Sequence, residues 1–570
     1  SSSAATPTMT TASAILHPGL WLVAAGFAAF FLRGAARRAL LLAGPLAALA
    51  LALAIPEGVA GGVAFLGHEL APLRVDRLSR LFAVIFALMA FAGAVFALRQ
   101  ESRLEVPAAL VYAGSAIGAA LAGDLVTLFV FWEAMAVAST LVLWSAGPKA
   151  YAASRRYLAV HLLGGVVLMA GIAGHVAATG SVAFGAMQPD TLAKALILAG
   201  FLLNAGAPPF SAWLPDAYPE ASWSGMVFLS AFTTKTAVYA LLRGFAGTEI
   251  LVPVGLFMVF YGIVYAILEN DMRRILAYSI VNQVGFMVTG AGIGTEMAVN
   301  GAAAHAFTHI LYKALLLMSA GAVLLQTGKR KCTDLGGLYQ SMPLTAACGI
   351  VGALAISSFP LTSGFVSKSM VSQAATDGHL LAVWLALTAA SAGVFLHAGI
   401  KFPWFVFFQK DSGMRPPEPP APLRAAMLLL AFLCIAIGVV PGPLYAMLPH
   451  PVDYVPYTAG HVVAMLQLLL FSGLAFFLLL PLLRRTLTIT LDADWLYRRA
   501  APALAAAVER LVVPARAGLA GAALAGLALA QRAAARVAAP GGALGGTWAV
   551  RTTAMLALAL LAVVLLLSYS

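Results

Sequence analysis

NAGAPPFSAWLPDAYPEASWSGMVFLSAFTTKTAVYALLR, residues 204–243, joins a proline-rich turn to an apolar run that holds a single lysine. Pro208, Pro209, Pro215 and Pro219 each remove a backbone donor and crowd the preceding turn, so residues 204–222 cannot form a continuous helix. The run 226–242 is long and apolar enough to read as a membrane span, with Lys235 near its middle. A lysine at that depth costs roughly 2.5–3.5 kcal/mol on insertion scales, and irregular backbone at membrane depth persists only inside protein or beside a wet cavity. Two such costs side by side point to an ion pathway.

The rest of the chain has the same character. Of its 570 residues, 62% are hydrophobic and 10% charged, and the mean hydropathy is +0.93. That composition excludes an ordinary globular domain. Runs of span length recur to the C-terminus and predict about fourteen to sixteen transmembrane helices. The alternating segments of a membrane β-barrel are missing, so the class is an all-α polytopic membrane protein. The first fourteen residues lack a cationic region and read as a tail.

A net charge of +12 raises nucleic acid as a partner, but the basic residues sit in short clusters between apolar runs. Arg33, Arg37 and Arg38, then Arg99 and Arg103, Lys149, Arg155 and Arg156, Arg273 and Arg274, and Lys329 to Lys331 occupy alternate loops, and the positive-inside pattern puts these in the cytoplasm. Arg74, Arg77, Arg80 and Arg243 are exceptions. Cys332, Cys348 and Cys434 are far apart without a CxxC, which argues against disulfide, zinc and iron–sulfur frameworks.

Further polar residues interrupt the apolar runs. In FVFWEAMAVAST, Glu133 lies near mid-membrane and must either bind a proton or have a cation nearby. His161 and His175 lie toward the ends of the next span and read as packing or interfacial residues. ENDMRRILAYSIVNQVGF starts at a charged helix end and brings Ser279, Asn282 and Gln283 into a span. HAFTHILYKALLLM places His305, His309 and Lys313 four residues apart, on nearly one helix face and about 6 Å apart along the axis. With no HExxH, carboxylate or thiol close by, a metal site is the weaker reading of these histidines and a proton relay the stronger. ISSFPLTSGFVSKSM predicts a second broken helix at Pro360 and Gly364, followed by Lys368. FLHAGIKFPWFVFF puts Lys401 one turn after His397, where it either ends the relay near one face or snorkels to the interface. From residue 491 the chain is Ala-rich with scattered arginines. It reads as an amphipathic helix along the membrane, interrupted at Pro514, before a last span.

Taken together, Trp132-Glu133, PPFSAWLPDAYPEA, TTK before AVYALLR, DMRRILAYS, HAFTHILYKALLL and FPLTSGFVSK resemble the antiporter-like family shared by Mrp-type multisubunit cation/proton antiporters and the membrane arm of respiratory complex I. The likeness covers roughly residues 73–408. It implies two inverted repeats with discontinuous helices, and it divides the chain into N-terminal helices (1–105), a first repeat (106–250), a second repeat (251–410), C-terminal core helices (411–490) and a lateral helix with a last span (491–570). It also implies a proton pathway of Glu133 as charged partner, Lys235 as central switch, His305, His309 and Lys313 as relay, and Lys368 or Lys401 toward the exit. Asn204, Pro208, Pro209 and Pro360 would serve as polar or hinge positions. Many members carry a lysine where this chain has Asn204, which leaves Lys235 as the expected partner of Glu133.

The wording of HILYKALLLMSAGAVLLQTGKRK and TLDADWLYRR is similar to the Mrp D subunit. A proton-translocating subunit of a Na+ or other monovalent cation/proton antiporter is therefore expected, in the bacterial inner membrane, with homologous subunits as partners and no cofactor or metal of its own. The alternatives are an antiporter-like subunit of an NADH–quinone oxidoreductase or membrane-bound hydrogenase, or a structural or anion-uptake partner with a vestigial polar axis.

Overall fold

The computed structural model describes residues 17–60, 62–481, 492–539, 542 and 549–568. The N-terminal tail (1–14) therefore lies outside the described residues. Residues 1–494 form one compact unit and 495–570 a second.

The first unit is a bundle of helices: α1 (Pro18–Phe31), α2 (Gly34–Ala54), α3 (Arg77–Phe96), α4 (Glu105–Leu121), α5 (Leu125–Trp144), α6 (Tyr151–Thr179), α7 (Leu192–Ala205), a short α8 (Trp213–Ala217), α9 (Gly225–Ala231), α10 (Thr233–Gly244), α11 (Leu251–Leu268), α12 (Met272–Ile293), α13 (Glu296–Thr327), α14 (Pro343–Ile356), α15 (Ser363–Asp377), α16 (Leu381–Val394), α17 (Ala421–Val439), α18 (Gly442–Ala446) and α19 (Ala459–Leu478). Thirteen helices of the described residues are long and apolar enough to cross a membrane, and four shorter apolar helices accompany them. The chain is a polytopic, all-α membrane protein. Its strands are four three-residue pieces between Gly58 and Val75, paired as two small antiparallel ribbons that the hydropathy pattern did not show.

Helix ends follow local chemistry. Asp76 and Ser79 form a capping box at α3, and the Asp124 carboxylate accepts from the Thr127 amide (2.7 Å) and hydroxyl (2.7 Å) at α5. Helices α11 and α12 touch where a Cβ on Gly255 would come within 2.6 Å of the Gly285 carbonyl oxygen. Without a solvent-driven force between spans, such close backbone contact is what holds them together.

Arg37 donates to the Arg103 carbonyl (2.9 Å), which puts two of the basic loops on one face. Arg243 (2.7 Å) and Arg74 (4.0 Å) pair with Asp76, and Arg80 pairs with Glu57 (3.3 Å). Three of the four exceptions to the positive-inside pattern thus have an acid beside them. At Asp76, burial works to raise the carboxyl, but the hydrogen bond and charge of Arg243 outweigh it and hold the group below its ordinary range.

Polarity sorts the bundle from inside to outside. The span Gly225–Gly244, made of α9 and α10, and the span Met272–Ile293 are wholly enclosed by protein. Helix α13 packs against both, and also against α14 and α15. These central helices carry the lysines, histidines and amides, as expected where ionisable groups are too costly to face lipid.

In the second unit a π-helical turn (Leu496–Ala500) leads into α20 (Ala501–Ala538), followed by α21 (Val550–Ser568). At 1.5 Å per residue, the 38 residues of α20 extend about 57 Å, well beyond the roughly 30 Å of a hydrocarbon core. Pro514 lies inside this helix and does not interrupt it, contrary to the sequence expectation.

Candidate functional site

The proline-rich stretch breaks the chain where its residues require. Helix α7 ends at Gly206, whose φ of +80° suits the left-handed C-cap, and 206–224 passes through Pro208 and Pro209, the short α8 and a 3-10 turn at Tyr218–Glu220. Three arginines pin it down. Arg273 donates to the carbonyls of Ala221 (2.7 Å) and Ser222 (2.8 Å), Arg156 takes Asp216 through two 2.8 Å bonds, and Arg330 joins Glu220 (3.0 Å) to Asp271 (2.7 Å). Beside it the buried Glu105 carboxylate accepts from Ser222 (2.6 Å), Ser145 (3.0 Å), Ser224 and Gln100.

A second break lies between α9 and α10, just before Lys235. The Tyr112 hydroxyl accepts from the Thr233 amide (2.9 Å) and faces the Leu229 carbonyl (3.4 Å) and the Thr233 hydroxyl (2.5 Å). In an unbroken helix the Thr233 amide would bond to Leu229, so the phenol is inserted into the ladder. The carbonyls at the end of α9 are left without helical donors. Lys235 turns back to one of them: its Nζ donates to the Ser230 carbonyl (2.7 Å) and to Thr234 Oγ1 (3.1 Å).

The expected pairing of Lys235 with Glu133 is not formed. Among the described residues Lys235 has no carboxylate within 4.0 Å, and Glu133 Oε1 is buried with no hydrogen-bond partner. Glu133 is half-buried on α5 and its carboxylate lies against Gly165 of α6. The physical reason is the inserted Tyr112: the break supplies Lys235 with oxygens from its own chain, so the ammonium has no need of a distant carboxylate.

The relay residues do converge. His305, His309 and Lys313 are fully buried on α13, with the two imidazoles 6.0 Å apart. Neither histidine has a hydrogen bond at either ring nitrogen. Lys313 Nζ donates to Ser279 Oγ (2.8 Å) of α12. Tyr312, whose ring lies 5.3 Å from His309, donates to Gln283 Oε1 (3.2 Å), and Gln283 in turn donates to Asn282. The Lys235 charge acts on His305, His309 and Lys313 alike.

Helix α14 breaks at residues 357–362, around Pro360, with positive φ at Ser358 (+59°) and Leu361 (+67°). The expected second discontinuity is present. Beyond it Lys368 is buried, has no hydrogen bond, and stands 5.1 Å from the Phe286 ring, itself 6.2 Å from His305. His309, His305 and Lys368 therefore follow one another through the enclosed helices, with Lys235 on α10, which packs against α13.

Lys401 is buried against the end of α11. Its Nζ donates to the carbonyls of Ala266 (3.1 Å), Ile267 and Glu269 (2.5 Å), capping the C-terminus of α11. A cation at that end also meets the negative pole of the helix. His397, on the same π-helical turn (Phe395–Lys401), reaches the axis instead. Its Nδ1–H points at the Gly393 carbonyl (2.8 Å), its Nε2 is buried and unpartnered, and the charges of Lys313, Lys401 and Lys368 act on it. His161 is held among Tyr157 (4.0 Å) and Trp213 (4.6 Å), with Nδ1 on the Tyr157 carbonyl (3.0 Å), a packing role as expected.

Sequence reading missed Tyr112 and Ser230, which carry no signal of their own, whereas Ser279 and His397 stood out as polar residues within apolar runs without the partners that the structure gives them.

Comparison with known proteins supports this architecture. Residues 122–393 match the family described as NADH:quinone oxidoreductase/Mrp antiporter, TM. The A/B subunit of a probable K(+)/H(+) antiporter from Rhizobium meliloti is 30% identical over 401 residues, 65% of this chain and 40% of the relative. The D subunit of the Na(+)/H(+) antiporter from Alkalihalophilus pseudofirmus is 30% identical over 335 residues, 53% of this chain and 67% of the relative. The chain thus spans two-fifths of the first relative's length and about two-thirds of the second's.

In fold, it is similar to a chain of the Mrp complex from a Dietzia species (TM-score 0.69, 23% identity, 82% of this chain and 100% of the other). A chain of an archaeal respiratory complex, the membrane-bound sulfane sulfur reductase, is similar over 96% of this chain and 99% of its own (TM-score 0.71, 24% identity). The polar axis lies on the helices that the family match covers. The chain belongs to the NADH:quinone oxidoreductase/Mrp antiporter membrane family.

Proposed function

We propose that this chain is the proton-translocating subunit of a multisubunit monovalent cation/proton antiporter of the Mrp type, in the bacterial inner membrane, with homologous antiporter-like subunits as neighbours. The observation that carries this is the file of Lys235, His309, His305 and Lys368 through helices otherwise closed to solvent, with Lys313 beside it on Ser279. Each group can accept or release a proton, and the two unpartnered imidazoles are free to do so at either nitrogen. Like charges this close repel in a low-dielectric interior, so a proton arriving on one group favours release from the next. A charge-coupled relay needs that behaviour and no cofactor. The relatives described as K(+)/H(+) and Na(+)/H(+) antiporter subunits support a monovalent cation as the exchanged ion.

A second reading, a subunit of a redox-driven proton translocase, is favoured by one observation: the respiratory complex chain matches 96% of this chain, against 82% for the Mrp chain. The transport step would be the same and the driving force different.

The test is exchange by the whole complex in everted vesicles from cells without other antiporters, followed by a pH-gradient dye on adding Na+ or K+. Lys235→Met keeps the side-chain volume and removes the titratable amine. It is expected to leave assembly intact and to cut exchange at least tenfold. Wild-type exchange by an assembled Lys235→Met complex would end the proposal. A gradient that depends on an electron donor and not on the cation would select the redox reading.

A further inference from the structure

Between residues 17 and 481, Glu133 is the one described acid in the interior of a spanning helix, the others lying at helix ends or in loops. It sits about 12 Å from one end of α5 and about 17 Å from the other. Its carboxylate has no ion pair, and Oε1 is buried without a partner. A second orphan oxygen is close by. Asn204, at the end of α7, is 1% exposed, and its Oδ1 also has no donor. The two oxygens lie over consecutive residues of α6: the Glu133 carboxylate fills the place of a side chain at Gly165, and Asn204 Oδ1 is 3.6 Å from where a Cβ would stand on Gly164. An acceptor left unmatched at this depth costs about 1–3 kcal/mol, and a charged one more. Neither oxygen has a donor within hydrogen-bond distance among the described residues, and a proton or a cation at the seam would supply what both lack.

We propose that Glu133 and Asn204, at the α5–α6–α7 seam, form a monovalent-cation site in which the cation and a proton compete for one carboxylate. Hard cations take carboxylate and amide oxygens as ligands, and Glu133 and Asn204 supply one of each. The exchange balances as carboxylic acid plus cation giving cation carboxylate plus a released proton, so the charge at the seam is the same before and after. Asn204 contributes an oxygen without adding charge. A lysine there would satisfy the carboxylate internally and shut the cation out. The titratable groups on the packed elements are Tyr112 and Glu105 on α4, Tyr151, Arg155, Arg156, Tyr157, His161 and His175 on α6, Lys194 on α7, Asp216 on α8, and Lys235, Tyr239 and Arg243 on α10. Tyr112, Tyr157, His161, Glu105 and Lys194 are tied to Thr233, Ser139, the Tyr157 carbonyl, the serine cluster and Asp190, respectively.

This site rests on the antiporter reading, and the experiment separates the two. Infrared difference spectra of the purified whole complex, NaCl or KCl against choline chloride, report carboxylate bands that appear when a cation binds. Wild type and Lys235→Met are both expected to show them, with half-saturation moving to higher cation concentration as the pH is lowered. Glu133→Gln is expected to lose them, and Asn204→Lys to raise half-saturation at least tenfold, about 1.4 kcal/mol. Bands that persist in Glu133→Gln, an unchanged half-saturation in Asn204→Lys, or no cation-dependent carboxylate band in wild type would each overturn the site. Binding that is intact in a wild-type complex unable to exchange would uphold the site and sink the antiporter reading.

Discussion

At the scale of single residues, Lys401 and Lys368 are both buried but differ in what surrounds the ammonium. Lys368 has no hydrogen bond and faces an aromatic ring, whereas the three protons of Lys401 point at three backbone carbonyls. A neutral Lys401 has two N–H groups and would leave one of those three carbonyls without its donor. Lys401→Met should therefore act on stability, lowering it by about 1–3 kcal/mol, the usual cost of an unmatched buried polar group. The expected outcome is a lower melting temperature of the purified complex, with exchange per assembled complex within twofold of wild type. Normal melting with lost exchange would return Lys401 to the proton path. Sequence alone could not separate the two lysines. Both stand out as charges in apolar runs, but the carbonyls that occupy Lys401 come from the end of α11, 132 to 135 residues away.

At the scale of elements, the three breaks differ in how they are encoded. Pro360 and the prolines after Asn204 interrupt their helices by local sterics, and those breaks were legible. The break before Lys235 occurs in FLSAFTTK, which has neither proline nor glycine. It depends on the Tyr112 hydroxyl accepting the Thr233 amide, a contact across 121 residues. The lysine was visible and the kink that aims it was not. Tyr112→Phe tests the dependence. Without the hydroxyl, either the Thr233 amide is buried without a partner or the helix closes and redirects Lys235. Exchange is expected to fall about tenfold or more while His161→Phe, outside the polar axis, leaves it near wild type. Equal exchange by Tyr112→Phe and wild type would show that the phenol does not set the position of Lys235.

At the scale of the whole molecule, the order of polarity in the sequence was enough to find the bundle. Residues 225–244 and 272–293 have lower hydropathy than the flanking spans and are the ones enclosed by protein, because an ionisable group in a lipid-facing helix would be too costly. What composition cannot show is how the chain is driven. The axis offers places for a proton to rest, and Glu133, the one described acid inside a span between residues 17 and 481, offers a single carboxylate, but neither supplies a source of free energy. The solved structures it resembles are chains of multisubunit complexes. Many apolar side chains on the outside of the bundle, such as Phe31 (86% exposed) and Phe471 (69%), are equally suited to lipid and to a neighbouring subunit. The chain is therefore expected to be inactive alone: purified without its neighbours and reconstituted into vesicles, it should show no cation-dependent proton flux, and flux should return when the full set of subunits is reconstituted together. Cation/proton exchange by the isolated chain at the rate of the whole complex would refute this, and would mean that the seam at Glu133 and the axis from Lys235 to Lys368 are coupled within one subunit.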